Sequence, residues 1–185
     1  MKKLLGIILA TVAMFAFGAV FWMTPLTTSF FMSATDDEVA GRRLKEVFPA
    51  SGTYFVPSPQ SNPEKRLELL KSGPLVTLHV DYERKLQGDP DPKTLGVGFV
   101  HELISLTLAA LVMGSLLGAL TTYVRRVSFM AMLGVLIAWF SPLSQPIWWH
   151  HPWPVHVVDA VYTVLAWLVS GLVLAAFIKP AGKAA

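Results

Sequence analysis

The sequence contains no cysteine among its 185 residues. Disulfide bonds, thiolate metal ligands and cysteine nucleophiles are therefore excluded. Charged residues are also scarce, at 15% of the chain, whereas a soluble domain usually has roughly 25%. Because 54% of the residues are hydrophobic, most of the chain must be surrounded by lipid rather than by water.

Familiar catalytic motifs are missing as well. The sequence has no glycine-rich phosphate loop, no Gly-x-Ser-x-Gly elbow and no His-Glu-x-x-His helix. No charge lies at the centre of an apolar run, which argues against a proton-driven transporter with a midplane site. The net charge of +3 does not indicate nucleic-acid binding, because the basic residues outside one nearly balanced polar segment only flank apolar runs.

What the sequence does contain is four long apolar runs. At about 1.5 Å per residue, some 20 helical residues span the hydrocarbon core of a bilayer. The predicted spans are residues 4–23, 99–123, 127–140 extended past Pro142, and 154–178. The first run is compatible with a cleaved signal peptide, but its length and the lack of a small-x-small site favour a retained anchor.

The orientation follows from the basic residues beside these spans, because Lys and Arg are retained on the cytoplasmic side. Three basic clusters flank the spans, and the loop 141–153 contains no Lys or Arg. Both termini are therefore predicted to be cytoplasmic, and residues 25–97 extracytoplasmic. The clusters are Lys2 with Lys3, Arg125 with Arg126, and Lys179 with Lys183.

Residues 25–97 have the composition of a small α/β segment, with nine Lys or Arg and ten Asp or Glu. A Ser/Thr-x-x-Glu capping box beginning at Thr35 predicts a helix over 36–47, and Asn62 before Pro63 predicts another over 63–71. Alternating β-formers predict strands at 52–56 and 75–82. This order contains one possible βαβ unit with parallel strands. The predicted organisation is an anchor (1–24), this segment (25–97) and a three-helix membrane region (98–185), an all-α membrane fold with four spans.

Six ionisable side chains are predicted to lie near the outer membrane boundary. Ionisable residues are energetically costly in a bilayer, so each of them suggests a functional or structural role. Imidazole and carboxylate groups together favour a divalent metal site or a proton relay. The competing interpretation is ordinary interfacial chemistry, in which carboxylates favour helix starts and histidines anchor among headgroups. The six are His101, Glu102, His150, His151, His156 and Asp159.

Small residues recur on one face of the second and fourth spans. Such spacing lets helices approach closely, either within one chain or between subunits, so it predicts helix packing or dimerisation. The second span contributes Ala110, Gly114 and Gly118, and the fourth contributes Gly171 and Ala175.

The layout resembles a group of uncharacterised bacterial inner-membrane proteins that combine an N-terminal anchor, a small extracytoplasmic segment and three further transmembrane helices. The matching pieces are residues 52–57, residues 73–75 and the Trp-rich loop 148–154. The resemblance covers most of the chain and implies no activity.

The sequence thus favours a non-catalytic inner-membrane protein, an accessory, assembly or scaffolding subunit that packs against a protein partner or a second copy. The alternative is a metal-binding or redox-associated protein that uses the six outer residues. An enzyme acting on lipids at the outer face ranks last, because only its location supports it.

Overall fold

The computed structural model describes residues 1–180, so the predicted basic residue Lys183 lies outside the described part. The chain is mostly helical, with one small sheet. The helices are α1 (Lys2–Trp22), α2 (Pro25–Thr28), α3 (Asp37–Val47), α4 (Pro63–Ser72), α5 (Pro92–Ser115), α6 (Tyr123–Phe140), α7 (Ser144–Trp149) and α8 (Trp153–Phe177). The strands are β1 (Gly52–Val56) and β2 (Val76–Val80).

Four helical stretches are long and apolar enough to cross a membrane, as in a multi-pass membrane protein. They are α1, α5, the stretch Tyr123–Trp149 that contains α6 and α7, and α8. The first and fourth agree closely with the predicted spans. The third reaches full length only because α7 follows α6 after a short turn.

The second span lies several residues earlier in the chain than predicted. Asp91 caps α5, because its carboxylate accepts hydrogen bonds from the backbone N–H and the hydroxyl of Thr94. Pro92 occupies the first helical position, where its missing N–H costs nothing. Backbone hydrogen bonds from Thr94 and then Gln87 lower the pKa of Asp91. The segment between α1 and α5, residues 25–91, is called the connecting segment below.

The long helices pack in a row, in which α5 contacts α1, α1 contacts α8 and α8 contacts α6 most extensively. Neighbours in the row run antiparallel. The start of α1 meets the end of α8, because a side chain added at Gly6 would collide with Phe177. Lys2 and Lys3 therefore lie at the same end of the row as Arg126, which bonds Ala175 near the end of α8. The connecting segment contacts the opposite end, where Phe55 stacks on Trp149.

Two glycines let α6 and α8 approach closely. A Cβ built at Gly171 would lie 2.6 Å from Cβ of Met130, and one built at Gly134 would lie 2.8 Å from Cβ of Trp167. Met130 and Gly134 belong to α6, and Trp167 and Gly171 to α8. Small residues at such contacts bring the backbones together and increase dispersion contacts. These contacts matter most in lipid, because the hydrophobic effect does not favour association of helices there.

Arg126 joins the two helices at their basic end. Its side chain is buried, its Nε donates to Ala175 O at 3.0 Å, and its Nη1 donates to Leu120 O and Thr121 O at 3.1 Å each. These carbonyls lie near the end of α8 and in the turn before α6, where free carbonyls carry partial negative charge. The guanidinium is thus satisfied by peptide oxygens rather than by an acid.

The predicted parallel βαβ unit is wrong. β1 and β2 pair antiparallel, with Gly52 opposite Val80 and Val56 opposite Val76. Parallel sheets need helices covering their faces, but α4 between the strands has no buried residue. The N-cap of α3 is also corrected: it is Asp36, whose carboxylate accepts from Val39 N, rather than Thr35. The Asn62 cap of α4 and the positive φ of Gly73 after it agree with the sequence.

We expect Gly171→Ala to destabilise the protein by about 1–3 kcal/mol, because the added Cβ must push α6 and α8 apart at Met130. Gly114→Ala is the matched control, since a Cβ there meets nothing within 4 Å. Unfolding in SDS, followed by tryptophan fluorescence, measures both variants. Equal stability of the two would contradict a glycine contact between α6 and α8.

Candidate functional site

Two histidines meet at the end of the row that contacts the connecting segment. His151 lies in the short connection between α7 and α8, and His156 lies in the first turn of α8. The connection is tight because His150 adopts a left-handed conformation (φ 57°) and Pro152 leads into α8. His151 Nδ1 is 3.3 Å from His156 Nε2, and the ring centroids are 5.3 Å apart at an interplanar angle of 25°.

The outward nitrogens of both rings, His151 Nε2 and His156 Nδ1, are buried without a hydrogen-bond partner among residues 1–180. The contact between the two rings therefore couples their tautomers to each other, and the described residues provide no acceptor for the outward nitrogens. Asp159, one turn further along α8, is half-buried and within electrostatic range of His156. His79 on β2 is within electrostatic range of His151, and the Nδ1 atom of His79 is 2.9 Å from Thr53 Oγ1.

The environment of His151 favours its neutral form. Burial lowers the pKa of His151, and the nearby His156 and His79 lower it further. The mechanism is desolvation first and repulsion between like charges second. A neutral ring with a free nitrogen lone pair is the form that binds a metal or accepts a proton.

Of the other predicted site residues, His150 lines one cavity together with the pair, whereas His101 and Glu102 lie elsewhere. His150 is exposed at the end of α7. His101 is exposed on α5 and lines a different cavity, together with Arg84 and Asp91. Glu102 lies within electrostatic range of Tyr162, and its Oε2 is buried without a hydrogen-bond partner in the described chain. The six residues thus separate into at least three environments.

Within residues 1–180, no group of three or more His, Asp or Glu side chains is arranged to hold a metal. The histidine pair has a suitable spacing, with the two ring nitrogens 3.3 Å apart. Two imidazole nitrogens bound to one tetrahedral zinc at 2.0–2.1 Å would lie about 3.3 Å apart. The pair can therefore supply two ligands, and a third would have to come from a shift of a neighbouring side chain or from water.

Two features of the site were not anticipated from the sequence. Tyr162 on α8 stacks on Phe17 of α1, with centroids 6.0 Å apart, and also contacts Phe21 and Trp22. Arg66 on α4 has a buried Nε without a partner among the described residues. The aromatic spacing of α1 was a usable signal for the first, but nothing near Arg66 in the sequence distinguishes it from other surface arginines.

The predicted packing residues fall into two groups. Ala110 and Ala175 are buried, and Gly171 is in tight contact with α6. Gly114 and Gly118 have open space where a side chain would be, and Gly118 lies beyond the end of α5 at Ser115. The helix face expected to run from Ala110 through Gly118 is therefore interrupted.

Comparison with known proteins yields no relative: no family model matches the chain, and neither a curated protein nor a solved structure is significantly similar to it.

We expect acidification to destabilise the histidine pair. Because the pKa of His151 is lowered by folding, its contribution to stability is complete above its ordinary value of 6.5 and is lost as the pH falls through the lowered pKa. Unfolding in SDS with chelator present, measured between pH 7.5 and 5, should show this loss.

His151→Phe should flatten that pH dependence, since a phenyl ring keeps the stacking but does not titrate. His101→Phe is the control, because His101 is exposed and lies in another cavity. An unchanged slope in His151→Phe would contradict the assignment.

Proposed function

We propose that this chain is a non-catalytic accessory, assembly or scaffolding subunit of a larger complex in a bacterial inner membrane. The single observation that supports the proposal is the connecting segment, which displays apolar side chains instead of burying them. Neither α3 nor α4 contains a buried residue, and two strands alone are marginal in water. A segment built in this way gains stability when another protein covers it.

The apolar face of α3 is the surface best suited to that partner. Val39 and Val47 are eight residues apart and Leu44 precedes Val47 by three, so all three lie on one side of α3, where they are 42%, 39% and 66% exposed. Arg43 lies between Val39 and Val47 on the same side, but it already pairs with Glu46, with Nη1 2.9 Å from Oε2. An amphipathic helix in this state resembles those that lay their apolar face in a groove of another protein.

The orientation predicted from the basic clusters is part of this proposal. Lys2, Lys3 and Arg126 lie at one end of the row and the connecting segment at the other. That arrangement supports cytoplasmic termini and an extracytoplasmic connecting segment, because basic residues are retained inside. The partner surface on α3 would then face outward, beside the membrane.

Solubilising the membrane in mild detergent and crosslinking should recover the chain with a partner protein or with a second copy. Replacing Val39, Leu44 and Val47 together by Ser should lower the recovery by about tenfold or more, because their apolar area is no longer buried at the interface. All three are exposed in the isolated chain, so its own fold should survive.

Leu86→Ser serves as the control, since Leu86 is an exposed apolar residue of the same segment outside α3. A chain that migrates only as a monomer, with nothing crosslinked to it, would refute the proposal.

Metal binding by His151 and His156 is the second candidate function, and the 3.3 Å separation of their ring nitrogens favours it. Protein purified from metal-replete cells should then contain zinc, copper or iron, which elemental analysis detects. Joint replacement of both histidines by Ala should remove the metal, whereas His101→Ala should retain it. Finding no metal in the unmodified protein would eliminate this candidate.

A further inference from the structure

A cavity of about 310 Å³ lies between the connecting segment and α7. Its walls are predominantly apolar and come from both parts of the chain. They include Phe55, Leu70, Leu75, Trp148 and Trp149. The ring centroids of Phe55 and Trp149 are 5.5 Å apart, and this stacking holds the two parts together. The volume is at the lower end of the range for small-molecule sites.

Among residues 1–180, Arg66 is the only Lys, Arg, Asp or Glu side chain that lines this cavity. Its Nε is buried, and its guanidinium has no hydrogen bond or ion pair with any residue from 1 to 180. The side chain is partly exposed as a whole, but its buried Nε–H has lost water without gaining an acceptor from these residues. The cavity thus combines one cationic side chain with predominantly apolar walls.

The cavity also connects with a membrane-spanning helix. A neighbouring cavity of about 360 Å³ shares the walls formed by Leu75 and Trp149, and continues to Phe31 and to Val155 in the first turn of α8. Trp148 and Trp149 stand at the end of the third span, and tryptophan is enriched at the level of lipid headgroups. The neighbouring cavity is also bordered by His150, His151 and His156. A path lined by apolar and imidazole side chains thus leads from Arg66 toward the first turn of α8.

We propose that the Arg66 cavity binds the phosphate group of an anionic glycerophospholipid. The guanidinium offers parallel N–H donors that match two phosphate oxygens. The glycerol and the first acyl carbons would lie against Leu75 and Trp149 and continue past Val155 toward the bilayer. No acidic side chain of the described residues lines either cavity, so a lipid with net negative charge is favoured over a zwitterionic one.

Binding of short-chain phosphatidylglycerol to the full chain in detergent, followed by tryptophan fluorescence, tests the proposal. Arg66→Gln should weaken binding by about tenfold to a hundredfold, as expected for the loss of charged hydrogen bonds. Lys65→Gln, the neighbouring exposed residue on α4, should bind like the unmodified chain. Equal affinity of Arg66→Gln and the unmodified chain would overturn the proposal.

Binding of three further ligands distinguishes a lipid phosphate from free phosphate. Inorganic phosphate and glycerol phosphate should bind far more weakly than the lipid, and phosphatidylcholine should bind about tenfold more weakly than phosphatidylglycerol, because its headgroup adds a cation beside Arg66. Leu75→Ser should weaken only the lipid. Free phosphate binding as tightly as the lipid would overturn the lipid assignment. The assay needs no protein partner, so its result is independent of the proposed accessory role.

Discussion

Close packing of α6 against α8 is the contact on which the rest of the arrangement depends. Gly134 and Gly171 allow the two backbones to approach, and Arg126 of α6 donates to the Ala175 carbonyl of α8 at one end. Its Nη1 donates to Leu120 O and Thr121 O in the turn before α6. Within lipid, apolar side chains gain little by leaving their surroundings, so shape and hydrogen bonding must hold helices together. α1 then packs on the other side of α8, and α5 joins the row through α1.

The position of the candidate site follows from this contact. With α6 and α8 fixed side by side, the chain between Phe140 and Trp153 must turn within a short distance at the far end of the pair. α7 and the left-handed His150 make that turn, and they bring His151 within 3.3 Å of His156. The same turn presents Trp149 to Phe55, so the connecting segment docks where the histidines meet.

Much of the fold was predictable, because long apolar runs, an Asn-Pro cap and alternating β-formers each have a local physical cause. The predicted parallel strand pairing failed because it assumed that α4 would cover the sheet, which depends on tertiary contacts that a sequence pattern does not contain. The start of α5 was predicted at residue 99 although Asp91, Pro92 and Thr94 form a capping sequence, since the prediction followed hydrophobicity alone. The six outer side chains were expected on one plane, but membrane depth alone does not bring residues of different helices together.

Arg126 is buried and Arg66 is partly buried, and the different surroundings of the two side chains indicate different roles. Arg126 is surrounded by carbonyl oxygens at helix ends, so its charge is compensated within the chain and its role is to join helices. Arg66 has a buried Nε and lines an apolar cavity without any acceptor from the described residues. Burial removes water from the whole Arg126 guanidinium, which recovers its hydrogen bonds within the chain, whereas the partly exposed Arg66 has only its Nε buried and leaves it unpaired within residues 1–180. In the proposal made above, a ligand from outside the chain supplies the acceptor for Arg66, and the cavity beside it sets the size and polarity of that ligand.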